Sequence, residues 1–397
     1  MKKLLMLGGG FLQNFVINKA REMGYYVYCL DADPHAVGFE SANESAVINI
    51  IDPEACLKFA KEKNVNGVLT AATDFSVLTM SFIAQEMGLP GINFASAKLI
   101  KNKASVRKCL FDAKADDTGY SYEISSPNQI AEVKGKVVYP IMMKPVDGSG
   151  SRGASKVDKA EDFEQACMFA MKGSISHRAV AEPFVVGREY GVESFVDNGE
   201  IHVLAVMQKD MTLPPYYAEL GHAIPSGLPL SVEERIKECV KKALIAMNVN
   251  HGSVNMDLLI SDDYSVHIVD VGARMGGNLI GSHIIPIGTG IDYMGNMIRA
   301  AVGDKTDWNP ISKPQPVATK LLALSPGIVH ELPDFKELEN KYGVKIEHHL
   351  HIGVEITPYR TNLDGCGYVV ATGNNVDEAI ALAAKAKNEI NTSIVRG

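Results

Sequence analysis

Apolar and polar positions alternate in two different ways over residues 1–95. Short apolar runs predict buried strands, at residues 4–7, 25–30, 47–51 and 68–70. Apolar residues at helical spacing predict amphipathic helices between them, at residues 11–23 and 53–63. Strands that alternate with helices predict a parallel sheet covered on both faces, so this part of the chain is expected to form a Rossmann-like α/β domain.

The turn after the first strand contains three consecutive glycines, residues 8–10. A dinucleotide-binding fingerprint has a third glycine where this chain has Gln13, although Asp31 lies at the expected distance beyond the turn. We therefore favour an accessory domain that binds no nicotinamide cofactor. Asp74 follows the end of a later strand, where open α/β sheets collect ligand contacts, which makes it a candidate substrate residue.

Composition and charge narrow the class of protein. The chain has 397 residues, enough for two or three domains, and 39 basic against 47 acidic residues give a formal net charge of −8. A chain with this charge and no basic half is not expected to bind nucleic acid. Because no apolar run approaches the ~20 residues of a membrane span and the six cysteines are scattered singly, we expect a cytoplasmic protein with no membrane partner.

A glycine- and serine-rich loop follows a strand predicted at residues 137–143. The strand ends at Lys144 and a proline, and the loop reads D-G-S-G-S-R-G over residues 147–153. Its small residues offer unobstructed backbone N–H groups and two hydroxyl donors: Gly148, Ser149, Gly150, Ser151 and Gly153. Such a loop suits phosphate groups, with a mobile linker as the alternative, and it is not a Walker loop because no G-K-[ST] closes it.

Acidic residues interrupt an apolar stretch in the central part of the chain. Residues 181–196 are β-like and apolar, yet they contain Glu182, Glu189 and Glu193. Since half-buried strands tolerate charge poorly, each carboxylate needs a partner, either a neighbouring arginine or a hydroxyl or amine of a ligand. Further upstream, the basic residues of a helix predicted over 98–110 fit a solvated face.

Two aspartates occupy a predicted antiparallel hairpin. Its strands cover residues 255–260 and 267–271, and this arrangement brings Asp257 and Asp270 close together on one side. Crowded carboxylates are costly unless a cation lies between them, and Mg²⁺ takes carboxylate and phosphate oxygens together. Arg274 follows in a glycine-rich turn, either as an anion clamp or as a salt-bridge partner of Asp270.

The order of these features along the chain resembles the ATP-grasp superfamily: Lys103, Lys144-Pro145, the glycine-rich loop, Glu182 with Glu189, Asp257, Asp270 and Arg274. Three motifs, K-P-V-D-G-S-G-S-R-G, A-E-L-G-H-A-I-P-S and D-V-G-A-R-M-G-G-N, look most like those of L-amino-acid ligases and related carboxylate–amine ligases. The resemblance covers essentially the whole chain. It implies an α/β (α+β) fold in three parts: a pre-ATP-grasp Rossmann-like domain at 1–95, an ATP-grasp domain at 96–309 and a small C-terminal α+β domain at 310–397.

The same resemblance implies ATP and Mg²⁺, or Mn²⁺ in its place, as cofactors, and a role for each candidate residue. At the nucleotide end, Lys103, Lys144 and the loop of residues 148–153 would contact the phosphates, Glu182 with the backbone of Phe184 and Val185 would hold adenine, and Glu189 would hold the ribose. Asp257 and Asp270 would carry the metal. At the substrate end, Arg274 and Gly277 would hold the acyl phosphate, Glu219 and His222 would contact the amino-acid substrates, and Asp74, Gly276 and Asn278 would shape the pocket.

The chain also departs from the family pattern. Aspartates stand at both metal positions, where the family usually has glutamate, and Gly272 stands where many relatives have an asparagine ligand. Residues 115–119 lack the usual Gly-Ile-Pro. Because aspartate is one methylene shorter than glutamate, the metal would lie closer to the strands or be bound through water.

The expected function is an ATP-dependent carboxylate–amine ligase that joins amino acids through an acyl phosphate, works on small molecules and forms a homodimer. One alternative is a purine-pathway ATP-grasp enzyme of the formate-dependent transformylase or carboxylase type. That enzyme would need a second basic cluster for the ribotide phosphate, and residues 216–228 offer none. The other alternative is a non-catalytic nucleotide-binding regulator, suggested by the two aspartates.

Overall fold

Four parallel strands form the first sheet in the computed structural model, which describes residues 1–148, 153–213 and 216–397. The strands are β1 (Lys3–Leu7), β2 (Tyr26–Asp31), β3 (Glu44–Val47) and β4 (Gly67–Leu69), in the order β3-β2-β1-β4. The accompanying helices are α1 (Phe11–Glu22), α2 (Gly38–Ser41), α3 (Pro53–Lys63) and α4 (Val77–Met87). The predicted alternation is confirmed, but the strand expected at 47–51 ends at Val47, and most of that apolar run forms the turn into α3.

Asn102 divides the helix predicted over residues 98–110. Its side chain accepts a hydrogen bond from the backbone N–H of Ser105 at 2.9 Å, which caps the start of a new helix. The segment therefore forms two helices, α5 (Phe94–Ile100) and α6 (Lys103–Ala113). Lys103 is consequently the first residue of a helix and not a residue in the middle of one.

A second, four-stranded antiparallel sheet follows α6. Its strands are β5 (Tyr122–Ile124), β6 (Ile141–Pro145), β7 (Ser155–Val157) and β8 (Ala179–Pro183), in the order β5-β8-β6-β7, and it carries α7 (Asn128–Lys134) and α8 (Phe163–Gly173). The strand predicted at 137–143 begins later, at Ile141. The β-like stretch 181–196 is two strands in two sheets, because the chain leaves β8 after Pro183 and enters the next sheet at Arg188.

An eight-stranded antiparallel sheet forms the centre of the molecule. Its strands are β9 (Arg188–Asp197), β10 (Glu200–Met211), β11 (Glu219–Ile224), β12 (Gly252–Ile260), β13 (Val266–Gly272), β14 (Val317–Leu321), β16 (Val344–His348) and β18 (Gly367–Thr372). Their order is β13-β12-β9-β10-β11-β14-β18-β16. The sheet therefore contains strands from both sides of residue 310, and the predicted β12–β13 hairpin is confirmed.

The remaining elements complete the C-terminal half of the chain. A three-stranded sheet contains β15 (Gly327–Glu331), β17 (Glu355–Ile356) and β19 (Val395–Arg396). The helices are α9 (Leu230–Ala246), α10 (Ile285–Thr289), α11 (Tyr293–Ala301), α12 (Phe335–Tyr342) and α13 (Val376–Ser393). Within the described ranges, no helix combines the length and apolar character needed to cross a bilayer.

The two faces of β9 differ in polarity. Tyr190, Val192 and Val196 belong to an apolar core that also contains residues of α9. Successive side chains of a strand point to opposite faces, so Glu189 and Glu193 lie on the other side of the sheet. That second face carries most of the residues with candidate chemistry.

Candidate active site

Strand register gathers polar side chains on one face of the large sheet. Asp257 lies opposite Asp270 on β13 and opposite Gly191 on β9. Lys209 on β10 lies opposite His222 on β11. Because directly opposed residues of antiparallel strands point to the same face, the predicted metal pair and the predicted amine-site histidine share one surface.

Each predicted metal carboxylate is paired with a lysine. Asp270 forms an ion pair with Lys103, and Asp257 accepts a hydrogen bond from Lys209 at 2.8 Å. Desolvation alone would raise the pKa of Asp270, but Lys103, with Lys144 and Arg274 further away, lowers that pKa below its usual value. For Asp257 burial dominates, and its pKa is raised.

The two aspartates suit a magnesium ion that shares its coordination with phosphate. Mg²⁺ commonly takes one or two carboxylates and completes its shell with substrate phosphates and water. No group of three or more acidic, histidine or cysteine side chains among the described residues is arranged to hold a metal by itself. The pair Asp257–Asp270 therefore fits a metal delivered with a nucleotide better than an all-protein metal cage.

The predicted phosphate and adenine residues meet one another. Lys144 forms an ion pair with Glu182, whose other carboxylate oxygen lies 3.9 Å from Nε of Arg107. The expectation that buried Glu182 needs a cationic partner is met by these two groups. Phe184 and Val185 are half-buried in the connection between β8 and β9, and the N–H of Phe184 donates to a backbone carbonyl at 3.2 Å.

The ends of the glycine-rich loop are fixed, while Ser149, Gly150 and Ser151 lie outside the described residues. Asp147 accepts hydrogen bonds from the hydroxyl of Ser174 at 2.6 Å and from two backbone N–H groups at 2.9 Å. At the other end, Gly153 has φ +80°, and a Cβ there would lie 2.7 Å from Pro145. Gly148 is half-buried at the start of the loop. These contacts fix the residues on either side of residues 149–152, directly after the strand that carries Lys144.

Lys209, which was not among the site residues predicted from the sequence, lies at the centre of the polar face. Its Nζ lies 2.6 Å from Glu219, 2.8 Å from Asp257 and 3.4 Å from Glu189, and its side chain is 1% exposed. Burial opposes its charge, but the three carboxylates raise its pKa well above the usual value. Burial also raises the pKa of Glu189, with Lys209 acting in the opposite direction.

Glu219 joins three parts of the chain. Besides Lys209, its carboxylate accepts hydrogen bonds from the amide of Asn278 and, at 2.6 Å, from the amide of Asn362. The hydroxyl of Tyr368 donates to the side-chain amide oxygen Oδ1 of Asn278 at 2.9 Å. Burial alone would raise the pKa of Glu219, but Lys209 and the other donors bring it far below the usual value, so the group stays ionised.

His222 lies beside Glu219 but is a different kind of group. Its Nε2 is 3.9 Å from the Glu219 carboxylate, and its Nδ1 has no hydrogen-bond partner among the described residues. Burial lowers the pKa of His222 to about 4, so the imidazole is neutral near pH 7. The pair therefore combines a fixed negative charge with a neutral proton acceptor.

Arg274 is paired with Asp74 of the first sheet's loop and not with Asp270. Its Nε lies 3.1 Å from Asp74, and the bridge between Ala71 and Met275 holds the two segments side by side. Burial opposes the charge, but Asp74 and then Glu193 raise the pKa of Arg274. The salt bridge considered for Asp270 is thus wrong, because Lys103 already occupies that carboxylate.

The glycine-rich turn is anchored from below by Glu193. This fully buried carboxylate accepts hydrogen bonds from Tyr293 at 2.5 Å, from Asn255 at 2.9 Å and from the N–H of Gly276 at 3.2 Å. A Cβ at Gly276 would lie 3.0 Å from both Glu193 and Asn255, whereas one at Gly277 would meet only ordinary contacts from 3.5 Å. Gly276 is therefore fixed by packing, whereas Gly277 has room for a Cβ at ordinary contact distances.

Sequence reasoning missed Lys209, Arg107 and Tyr293 for different reasons. Lys209 stands in the apolar run H-V-L-A-V-M-Q-K, so the argument used for the buried glutamates would have found it. The helical pattern predicts Arg107 on a solvated basic face, but it is buried and donates to a backbone carbonyl. Nothing in the sequence links Tyr293 to Glu193, since 100 residues separate them.

Two parts of the chain match known protein families. Residues 137–282 match the ATP-grasp domain, and residues 320–395 match the L-amino acid ligase C-terminal domain 2. Residues 137–282 therefore form an ATP-grasp domain, and residues 320–395 form a C-terminal domain of the L-amino acid ligase type. Both matched segments fall within the predicted second and third domains, whose boundaries stay predictions.

Three known proteins are similar to this chain over nearly its whole length. The structure of L-amino acid ligase from Bacillus licheniformis is similar with a TM-score of 0.84 and 21% identity, over 100% of this chain and 99% of that one. A biotin carboxylase domain from Hydrogenobacter thermophilus 2-oxoglutarate carboxylase, solved with MgADP and bicarbonate, has a TM-score of 0.81 and 17% identity over 100% and 90%. Formate-dependent phosphoribosylglycinamide formyltransferase from Sulfurisphaera tokodaii is 24% identical over 97% of this chain and 96% of its own length.

Proposed function

We propose that the protein is an ATP-dependent ligase that joins two amino acids, or an amino acid and a related amine, through an acyl phosphate. The observation that carries the proposal is the arrangement on one sheet face of the Asp257–Asp270 pair and the ionised Glu219, separated by a single lysine. The Asp257–Asp270 pair suits a metal-bound triphosphate, and the ionised Glu219 suits an ammonium group. The match of residues 320–395 to the L-amino acid ligase C-terminal domain supports the same assignment.

The nucleotide would lie between the small sheet and the large sheet. Lys103 and Lys144 would turn from their carboxylate partners to the phosphates, and residues 148–153 would fold over them. Glu182 with the backbone of Phe184 and Val185 would hold adenine, and Glu189 would hold the ribose. The connection between β8 and β9 would then border the base.

Asp257 and Asp270 would hold Mg²⁺, or Mn²⁺ in its place. The ion supplies charge neutralisation at the phosphates during transfer. The strands set Asp257 and Asp270 opposite each other, so both carboxylates would face the nucleotide. The short side chains keep this position close to the sheet.

The acid substrate would bind at the glycine-rich turn. A carboxylate is a poor electrophile, so its oxygen first attacks the γ-phosphorus of ATP, giving an acyl phosphate and ADP. Arg274, fixed by Asp74, would hold the carboxylate and then the acyl phosphate, with the backbone of Gly276 and Gly277 beside it. The closed loop would exclude water from the acyl phosphate.

The amine would bind beside Glu219. An α-amino group has a pKa of about 7.7–8.0, so part of it is neutral near pH 7, and the ionised Glu219 would draw in and orient the remainder. The neutral imidazole of His222 would take the proton released when the amine attacks the acyl carbon. The carbon–nitrogen bond forms, the carbon–oxygen bond to phosphate breaks, and phosphate leaves. Asn278 would shape the pocket through its hydrogen bond to Glu219.

Similarity to the formate-dependent formyltransferase favours a purine-pathway enzyme as the second candidate. Such an enzyme must bind the phosphate of a ribotide, which calls for basic groups at the amine end. Among the described residues at the amine end, the positive charge of Lys209 is already balanced by three carboxylates. This charge balance supports the amino-acid ligase. The homodimer, the cytoplasmic location and the domain boundaries remain predictions.

The test is a substrate screen with mass detection. The protein is incubated with ATP, Mg²⁺ and a panel of amino-acid pairs, and in parallel with glycinamide ribotide and formate, while released phosphate and product mass are recorded. We expect a dipeptide-sized product that Asp270→Asn reduces about a hundredfold, since it removes one of two metal carboxylates. Asp262→Asn, exposed in the turn of the same hairpin, is the matched control and should retain full activity.

Three outcomes separate the candidates. A formylated ribotide without dipeptide product would transfer the assignment to the purine-pathway reaction. Binding of ATP without turnover across the whole panel, unaffected by Asp270→Asn, would assign a nucleotide-binding regulator. A dipeptide product would retain the proposal.

A further inference from the structure

Lys209 contacts three carboxylates that belong to three different parts of the proposed site. Glu189 is assigned to the ribose, Asp257 to the metal and Glu219 to the amine, and all three lie within 3.4 Å of one ammonium group. An ammonium has three N–H donors, so each donor has an acidic neighbour. No other cation among the described residues is paired with these three groups.

The lysine is built into the sheet and does not reach it from the surface. It belongs to β10, a strand with hydrogen-bonded neighbours on both sides, and its side chain is 1% exposed. Glu219 is further fixed by the amides of Asn278 and Asn362. The position of the charge is therefore fixed by burial and by its three carboxylate partners, and it is present before any ligand arrives.

Three carboxylates around one point otherwise describe a place for a divalent cation. Oxygens bind Mg²⁺ at about 2.0–2.1 Å, whereas here they stand 2.6–3.4 Å from the lysine nitrogen. Among the described residues, the three carboxylates around Lys209 are therefore not arranged to hold a metal ion together. A metal bound here would take up Glu219 and would compete directly with an ammonium substrate.

We propose that Lys209 is a positioning residue: as the permanent counter-ion of Glu189, Asp257 and Glu219, it confines the divalent cation to the Asp257–Asp270 pair and leaves Glu219 to the amine. The inference rests on the proposed function for the names of the subsites. Its central claim, that the lysine excludes metal from these carboxylates, does not depend on turnover.

The test is a titration of nucleotide-free protein with Mn²⁺, followed by the electron paramagnetic resonance signal of the free ion. We expect Lys209→Met to bind Mn²⁺ at least about tenfold more tightly than wild type, because the substitution removes the positive charge that balances three carboxylates. Lys209→Arg keeps the charge and should bind no more tightly than wild type. The matched control Lys241→Met removes an exposed lysine of α9 and should change nothing.

A second substitution locates the new site. Glu219→Gln in the Lys209→Met background should return Mn²⁺ affinity toward the wild-type value, because it removes one of the three carboxylates. Should Lys209→Met fail to fold, Lys209→Gln repeats the experiment with a polar side chain. Folding is checked by the emission of Trp308, the single tryptophan, which packs against Phe195 of β9.

Activity gives an independent readout. In Lys209→Gln, a higher Mg²⁺ concentration should raise KM for the amine while kcat changes little, because metal and ammonium then compete for Glu219. In wild type, KM for the amine should not depend on the Mg²⁺ concentration in this way. Folded Lys209 variants that bind Mn²⁺ no more tightly than wild type, or a gained site insensitive to Glu219→Gln, would overturn the inference. Failure of the ligase assay with a gained Mn²⁺ site would instead count against the proposed function alone.

Discussion

The buried carboxylate of Glu193 makes stability depend on pH in a way that can be measured. Burial raises its pKa from 4.5 to about 7, against the hydrogen bonds from Tyr293, Asn255 and Gly276 that favour the ionised form. An acid with a raised pKa contributes stability that is full below 4.5 and is lost as pH rises through 7. Replacing it by glutamine removes this proton linkage.

The magnitude follows from the two pKa values. A pKa difference of one corresponds to about 1.4 kcal/mol, so the change from 4.5 to about 7 corresponds to about 3 kcal/mol. Between pH 4.5 and about pH 8, wild type should therefore lose about 3 kcal/mol relative to Glu193→Gln. Other titrating groups are common to both proteins and cancel in the comparison.

The assay is urea denaturation followed by the fluorescence of Trp308. This residue packs on Phe195, two positions beyond Glu193 on the same strand, with ring centroids 4.8 Å apart. Its emission therefore reports the unfolding of the strand that carries the carboxylate. Glu238→Gln, at an exposed position of α9, is the matched control and should differ from wild type by less than about 0.5 kcal/mol at every pH.

A stability difference between wild type and Glu193→Gln that stays constant within about 1 kcal/mol from pH 4.5 to about pH 8 would refute the reasoning. Tyr293→Phe provides a second check. It removes a hydrogen bond to the ionised carboxylate, so the folded-state pKa and with it the upper end of the pH window in which stability is lost should rise.

Three further changes test the substrate end of the site. Gly276→Ala should destabilise the protein by about 1–3 kcal/mol because its Cβ has no room, while the neighbouring Gly277→Ala should be tolerated; thermal unfolding compares them. Asp74→Asn removes the carboxylate paired with the turn's arginine and should lower kcat/KM for the acid substrate about tenfold, with kcat/KM unchanged as the contrary result. Tyr368→Phe leaves the amide oxygen of Asn278 without its donor and should raise KM for the amine several-fold; an unchanged KM would show that this bond does not shape the pocket.

The sequence was most informative where structure is local. The helix expected at 53–63 occurs with those bounds. The hairpin that opposes Asp257 and Asp270 also follows from a short turn between two apolar strands. The prediction of a single helix over 98–110 was wrong, because Asn102 caps the start of a second helix inside this periodic segment.

The sequence did not predict which group pairs with each buried charge. Glu182, Glu189 and Glu193 were each expected to need a partner, and the three partners differ: Lys144 with Arg107, then Lys209, then the neutral Tyr293 group. No spacing rule distinguishes them, since the partners lie on other strands and helices. Arg274 pairs with Asp74, which is 200 residues away.

By itself the sequence determined the alternating elements, the order of the ATP-grasp motifs and the residue types that the chemistry requires, because these depend on near neighbours along the chain. Only the tertiary structure decided which charges meet. Sheet order set β9 between β10 and β12, and this placed one lysine among three carboxylates and one glutamate beneath the glycine-rich turn. The physical reason is that a buried charge is stabilised by whatever the fold brings within about 3–4 Å, and chain distance does not enter that energy.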